Sequence, residues 1–328
     1  MVQFSDIEAA ARRLSGIANR TPLLRFADLD ARVAGHVWLK AESMQRMGSF
    51  KIRGAYNAIA QLSAEQRAAG IVAWSSGNHA QGVALAAHLF KSQAHIVMPH
   101  DAPADKRAAV DRLGAQIIGY DRYAQDREVI ATELATRLGA PLIPSYDHPA
   151  VIAGQGTTGL EVFSDPLFKH DKPEQILVCC GGGGLVAGIG LAAGTLAPDC
   201  AVLAVEPDTA DDTRRSLASG QREHNAPDAT SICDALLTPT PGRLTFPMNQ
   251  RQLADVLTVS EEEVLFAVGY ARRVLHVIVE PGGAVALAAL LAGKVATRGM
   301  RTVAILSGGN IDDALLDRAV QHYDATSK

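Results

Sequence analysis

Ile71-Val72-Ala73-Trp74-Ser75-Ser76-Gly77-Asn78-His79 carries an apolar, partly β-branched run into a turn of small residues and then into a helical pattern opening at Asn78. The same order recurs downstream, where Ala94 to Met98 leads into a helix after Pro103, and Ala115 to Tyr120 into a helix running to Leu138. Strands alternating with helices mark parallel sheets covered by crossover helices. A second series follows: a helix near Gly159 to Phe163, strand Gln175 to Cys180, a helix from Gly184, strand Ala201 to Val205, a Ser260 to Val274 helix, strand Thr302 to Leu306 and a last helix. Ser260 and Glu263 form a capping box at the start of their helix. Ahead of both series lie strand His36 to Lys40 and the turn into a helix at Lys51. The expected fold is α/β with two open parallel-sheet lobes. No Pro/Gly/Ser-rich linker separates them, and the smaller lobe, residues 66–146, reads as an insertion in the larger, 1–65 and 147–328.

Composition narrows the function. A chain of 328 residues that is 48% hydrophobic can bury a large core. Its net charge of -4 leaves no basic footprint for nucleic acid or an anionic membrane. No apolar run reaches the ~20 residues that span a bilayer. In place of a signal peptide, Ser5-Asp6-Ile7-Glu8 reads as a capping box opening an amphipathic helix. The four cysteines, Cys179, Cys180, Cys200 and Cys233, are spaced for neither a disulfide ladder nor a zinc site, which points to a reduced, cytoplasmic protein. The expected partners are small molecules.

Four strand ends and one helix start hold the candidate chemistry, at the sheet edge where open α/β folds bind ligands. Ser49 is a plausible N-cap for the helix carrying Lys51 in its first turn, where the positive end of the macrodipole lowers an ammonium pKa and favours a Schiff-base nucleophile. Ser75, Ser76, Gly77, Asn78 and His79 place backbone N–H groups where a carboxylate would bind. Gly181, Gly182, Gly183 and Gly184 precede a helix and can close around a phosphate. That loop also supports an NAD-dependent dehydrogenase, because Gly182-x-Gly184-x-x-Ala187 fits a dinucleotide fingerprint and Glu206 ends the next strand. The carboxylates of Glu206-Pro207-Asp208-Thr209-Ala210-Asp211-Asp212 could hold Mg2+ or Ca2+, or simply cap the next helix. Ser307-Gly308-Gly309-Asn310 sets a hydroxyl beside glycines, free to approach a ring edge.

Six motifs in order, Ser49 to Ala55, Ser75 to His79, Ala153-Gly154-Gln155-Gly156-Thr157, Gly181 to Gly184, Glu280-Pro281-Gly282-Gly283-Ala284 and Ser307 to Asn310, span nearly the whole chain. In this it resembles the fold type II (tryptophan synthase β-like) pyridoxal-phosphate enzymes, in the serine/threonine dehydratase and serine racemase branch that includes 3-hydroxyaspartate dehydratases. With nothing after the final helix, it is similar to the short, catabolic type. The resemblance implies that Lys51 holds pyridoxal 5'-phosphate and serves as base at Cα, and that Phe50, Asn78, Gly181 to Gly184, Glu280 and Ser307 surround the cofactor. Ser307, a neutral hydroxyl, would meet the pyridine nitrogen without keeping it protonated, which favours β-elimination over a long-lived carbanion.

Ser76 matches a hydroxyl that racemases place on the opposite ring face, implying some racemase activity. Ser75, Gly77, His79, Thr238 and Arg127 fall in the expected substrate pocket, and Arg127 is suited to a second, distal carboxylate. Glu206, the Ala210 carbonyl and Asp212 match the branch's divalent-cation site, for Mg2+, Ca2+ or Mn2+. The implied activity is dehydration and deamination of 3-hydroxy amino acids, 3-hydroxyaspartate ahead of serine and threonine, by a homodimer. Two residues depart from the branch: Ala235, where Asp-Gly is usual, and Gly282, where many relatives have serine.

Overall fold

The computed structural model describes residues 2–102 and 104–327. Its strands are β1 (Leu23–Leu24), β2 (His36–Ala41), β3 (Ile71–Trp74), β4 (Ala94–Pro99), β5 (Gln116–Tyr120), β6 (Gln175–Cys179), β7 (Ala201–Pro207), β8 (Leu253–Val259) and β9 (Arg301–Leu306). They form two sheets. β3, β4 and β5 make a parallel three-stranded sheet, and the other six lie in the order β1-β2-β9-β6-β7-β8, parallel except for β1 against β2. The two expected parallel sheets are therefore present. β6 is buried along its whole length and β9 over its last five residues, as strands covered by helices on both faces must be. That is why Ile176-Leu177-Val178 and Val303-Ala304-Ile305 read as continuous apolar runs.

Register brings the chemistry to one edge. β2 pairs with β9 from His36–Arg301 to Ala41–Leu306, and β9 pairs with β6 from Thr302–Gln175 to Ala304–Leu177. The turns that follow β2, β6 and β9 thus leave the sheet on the same side.

Several elements differ from the sequence expectation. The Pro149–Phe163 helix begins well before Gly159, with His148 Nδ1 accepting the Ala150 N–H at 3.2 Å. Its glycines, which obscure the helical signal, permit close packing: a Cβ on Gly154 would lie 2.4 Å from the Arg53 carbonyl oxygen. The Pro281–Leu291 helix is almost wholly buried and so has no polar face to betray it. β8 follows the Thr245–Gln252 helix with no turn residue between them. The first helix runs Phe4–Leu14, and its start is held by Asp6 Oδ2 accepting the Gln3 N–H at 2.9 Å, so the Ser5/Glu8 box does not form. The Ser260/Glu263 box does form, with reciprocal bonds of 3.2 and 2.8 Å. A helix over Ala104–Asp111 follows β4, while Pro103 lies outside the described residues.

Candidate active site

Lys51 opens the Lys51–Ala60 helix, but Ser49 does not cap it. Ser49 is extended (φ -161°, ψ 160°) and bridged to Gly308, its buried Oγ has no partner among the described residues, and Phe50 takes the N-cap position. The backbone is drawn to the end of β9 instead: Phe50 N–H donates to the Ser307 carbonyl at 3.2 Å and Gly309 N–H to that of Gly48 at 2.9 Å. Lys51 Nζ donates to the Ser145 carbonyl at 3.2 Å and lies 5.0 Å from the centre of the Phe50 ring. Burial pulls its pKa down to about 8, against the opposing pull of Cys179 and Glu280. The expected lowering is present, with desolvation as its main cause.

Two adjoining cavities share Lys51, Asn78, Ser145, Tyr146, Thr238 and Glu280. The first is closed by Gly181–Gly184, Cys179 and Ser307. Gly183, at φ +86°, caps the Gly184–Leu196 helix, whose first N–H groups have no carbonyl one turn back to meet them. Thr245 Oγ1 donates to the Gly182 carbonyl at 2.6 Å, which fixes the loop. The Tyr146 ring rests on Gly182, where a Cβ would lie 2.3 Å from Cδ2. Asn78 Nδ2 donates to Glu280 Oε1 at 2.6 Å while its Oδ1 accepts from Asn310 Nδ2 at 2.7 Å, leaving one amide hydrogen of Asn78 for a ligand. Burial, then Asp234, pushes the Glu280 carboxyl up to about 7. Glu280 occupies the space a side chain at 308 would need, so the Glu280–Ala284 and Ser307–Asn310 motifs fit together through their glycines.

The second cavity is lined by Ser75, Ser76, Gly77, His79, Arg127 and Thr238, all expected around a substrate. Gly77 precedes the Asn78–Leu89 helix, and Ser75 Oγ accepts the Gly77 N–H at 3.1 Å. His79 bonds through Nε2 to the Ile143 carbonyl at 2.8 Å; burial, then the Lys51 charge, pushes its pKa down to about 3, so it stays neutral with Nδ1 unpartnered. Thr238 Oγ1 is likewise buried without a partner among the described residues. Arg127 starts the Arg127–Leu138 helix behind its Asp126 cap and is exposed at the mouth. Across that mouth Lys106 pairs with Asp234 at 2.8 Å.

A family model described as pyridoxal-phosphate dependent enzyme matches residues 14–308. The chain belongs to that family. It is 45% identical over 311 residues to an L-threo-3-hydroxyaspartate ammonia-lyase of Pseudomonas sp, covering 94% of this chain and 95% of that one, and 41% identical to a serine racemase of Schizosaccharomyces pombe, covering 94% of each. Among solved structures, a threonine deaminase from T.th. superposes with a TM-score of 0.89 at 40% identity, over 94% of this chain and 99% of that one. Maize serine racemase gives 0.90 at 36% identity, over 100% and 99%.

Within this pyridoxal-phosphate fold the dehydrogenase alternative finds no support. Glu206, its intended ribose ligand, is fully buried and instead accepts the Thr213 and Arg214 N–H groups at 3.2 and 3.0 Å, capping the Asp212–Ser219 helix. Asp212 accepts from Asn225 Nδ2 at 2.7 Å through Oδ1, but its Oδ2 is buried with no partner among the described residues. Burial, then Asp212, pushes Glu206 up to about 8; burial pushes Asp212 up to about 6. Among the described residues no three His, Cys, Asp or Glu side chains cluster as metal ligands, so a cation here would rest on two carboxylates and the Ala210 carbonyl. The two departures from the branch face each other: a Cβ on Gly282 would lie 3.3 Å from that of Ala235. Tyr146, Cys179 and Asp234 line the cavities without having been singled out for a role from sequence. Cys179 and Asp234 sit beside positions the sequence marks, the glycine loop and Ala235, while Tyr146 reaches the site by packing on Gly182.

No helix among the described residues is long and apolar enough to cross a membrane.

Proposed function

We propose that this enzyme eliminates water from 3-hydroxy amino acids and releases ammonia, with 3-hydroxyaspartate preferred over serine and threonine and racemisation as a side activity. The observation that carries the reading is Lys51: a buried amine with a pKa near 8 and a single carbonyl partner, facing a glycine loop at a helix N-terminus. These residues fit pyridoxal phosphate. Lys51 Nζ would hold its aldehyde carbon, the Gly181–Gly184 loop its phosphate, the spare Asn78 N–H its ring oxygen, and Ser307 its ring nitrogen. When bound, the cofactor supplies an electron sink that makes the substrate Cα–H acidic and lets a β-substituent depart.

The remaining work belongs to the chain. The turn from Ser75 to His79 binds the α-carboxylate with backbone N–H groups. The Lys51 amine, when free, would take the proton from Cα; a pKa near 8 suits a base working near neutrality. Ser76, in the same cavity, is the second group that can exchange a proton there, the source of the side racemisation. Arg127 pairs with a distal carboxylate at the mouth, in keeping with the name of the Pseudomonas relative.

We also propose a divalent cation at Glu206, Ala210 and Asp212, supported by the unpartnered Asp212 Oδ2 beside a second buried carboxylate. A chelator should then lower Tm by about 2 °C, the scale of ~1 kcal/mol in a chain of this size. The homodimer and the reduced compartment complete the reading; all four cysteines are free and buried.

The purified enzyme should be yellow, and borohydride should fix the cofactor on Lys51. Rates measured on serine, threonine and both diastereomers of 3-hydroxyaspartate test the substrate. Colourless protein, or no 2-oxo acid from any of the four, would overturn the proposal.

A further inference from the structure

Adjacent residues of a strand point to opposite faces, and the neighbours Cys179 and Cys180 do so at the end of β6. Cys180 Sγ lies 3.4 Å from Thr213 Oγ1, on the side of Glu206. Cys179 Sγ lies 3.1 Å from Ser307 Oγ, on the side of Lys51. The pairing of β6 with β9 makes this contact, because Leu177 sits beside Ala304 and the two strands end together. Both partners are only 4% exposed, and both line the cavity of the glycine loop.

A serine hydroxyl has one proton to give and two lone pairs to offer. The Cys179 thiol donates to Ser307 Oγ and takes one lone pair. The Ser307 proton is then free to turn to the open side, which is the cavity. A neighbour that accepted from Ser307 would have the reverse effect, presenting a lone pair to the cavity and favouring a protonated ring.

We propose that Cys179 is a positioning residue: its S–H, donated to Ser307 Oγ, keeps the Ser307 hydroxyl a hydrogen-bond donor toward the cofactor ring nitrogen. This rests on the reading that Ser307 meets that nitrogen. The protonation state agrees with the geometry, since burial pushes the Cys179 thiol up to about 11, with Glu280 raising it and the Ser307 bond and Lys51 opposing. The thiol thus keeps its proton at neutral pH.

The test uses the holoenzyme as Cys179→Ala, Cys179→Ser, Ser307→Ala and the Cys179→Ala/Ser307→Ala double variant. The readouts are the position and pH titration of the cofactor's visible absorbance band, pyridoxal phosphate affinity by titration, and kcat and KM separately. Cys179→Ser, which retains a donor, should keep the band of the parent. Cys179→Ala should move the band or its titration and lower kcat about threefold with KM little changed, the scale of one weak hydrogen bond. In the Ser307→Ala background the Cys179→Ala change should add nothing, because the two act as a unit. A Cys179→Ala band matching the parent, a Cys179→Ser variant no better than Cys179→Ala, or additive losses in the double variant would each overturn the proposal. A Ser307→Ala band matching the parent would instead overturn the reading of Ser307 itself. Cys179→Val, which fills the space without a donor, replaces Cys179→Ala if that variant does not fold.

Discussion

Lys51, half-buried with its amine turned inward, and Arg53, fully buried, are cations two residues apart on one helix, and their surroundings could hardly differ more. Arg53 donates to both oxygens of Glu42 at 2.8 Å, to both of Glu161 at 2.7 and 3.0 Å, to Thr157 Oγ1 and to the Asn19 carbonyl. Despite burial, Glu42 and Glu161 raise its pKa above the ordinary arginine value, while Arg53 and Lys40 hold the equally buried Glu42 below the ordinary carboxylate value. Lys51 has one carbonyl and the edge of a cavity. The guanidinium is saturated and anchors the helix to the body of the protein; the amine is left short of partners, which suits the reactive role proposed for it. Burial of a charge is common to both, so what separates anchor from reagent is the supply of counter-charge.

The contrast can be broken most sharply at its reactive end. Lys51→Ala should lower turnover by about 10^2- to 10^4-fold, the range for losing a positioned acid or base, and abolish borohydride-stable labelling while the fold persists. If labelling survives, the amine assigned is the wrong one. Arg53→Met should cost about 3–5 kcal/mol of stability, because Glu42 is left charged and unpaired, and adding Glu42→Gln should return part of it; a calorimetric Tm equal to that of the parent would refute the anchor. A third cation, Arg127, extends the comparison to an exposed site: Arg127→Ala should lower kcat/KM on 3-hydroxyaspartate by about tenfold, the low end for a charge-assisted bond, and leave serine nearly untouched. Equal losses on both substrates would remove the distal-carboxylate role.

The smallest expected effect is a pH dependence. Uptake of pyridoxal phosphate by the cofactor-free protein should quicken about tenfold between pH 7 and 9, because the unprotonated amine reacts and its pKa is about 8. The sign for stability follows from the same lowering. From about pH 8 toward the unfolded lysine value the unfolded chain retains a proton the folded one has lost, so the Lys51 contribution to stability rises with pH across that window. Arg53 adds no slope there.

What the sequence disclosed, and what it hid, divides along the same line between local and long-range. Strands β3, β4, β6, β7 and β9 are legible because each is a largely apolar run with a clear stop, serine or glycine after β3, β6 and β9 and a closing proline in β4 and β7. The low pKa of Lys51 was expected from the helix start, but its cause, burial, is supplied by residues as distant as Ser145. Glu206 shows the ambiguity of a short acidic stretch: it caps a helix with both oxygens while Asp212 beside it keeps one without a partner among the described residues. Tyr146, resting on Gly182, carries no periodicity that marks it, and the Pro281–Leu291 helix conceals itself by being apolar on every side.

β9 lies between β2 and β6 in space, yet it is the last of the nine described strands along the chain. During synthesis, then, the larger sheet must wait with two unpaired, apolar inner edges until residue 306 has left the ribosome. Ser307, the glycine interlock with Glu280 and the backbone tie to Phe50 all arrive with that strand. The pocket that would hold the cofactor is therefore complete only once the last strand has taken its place between β2 and β6.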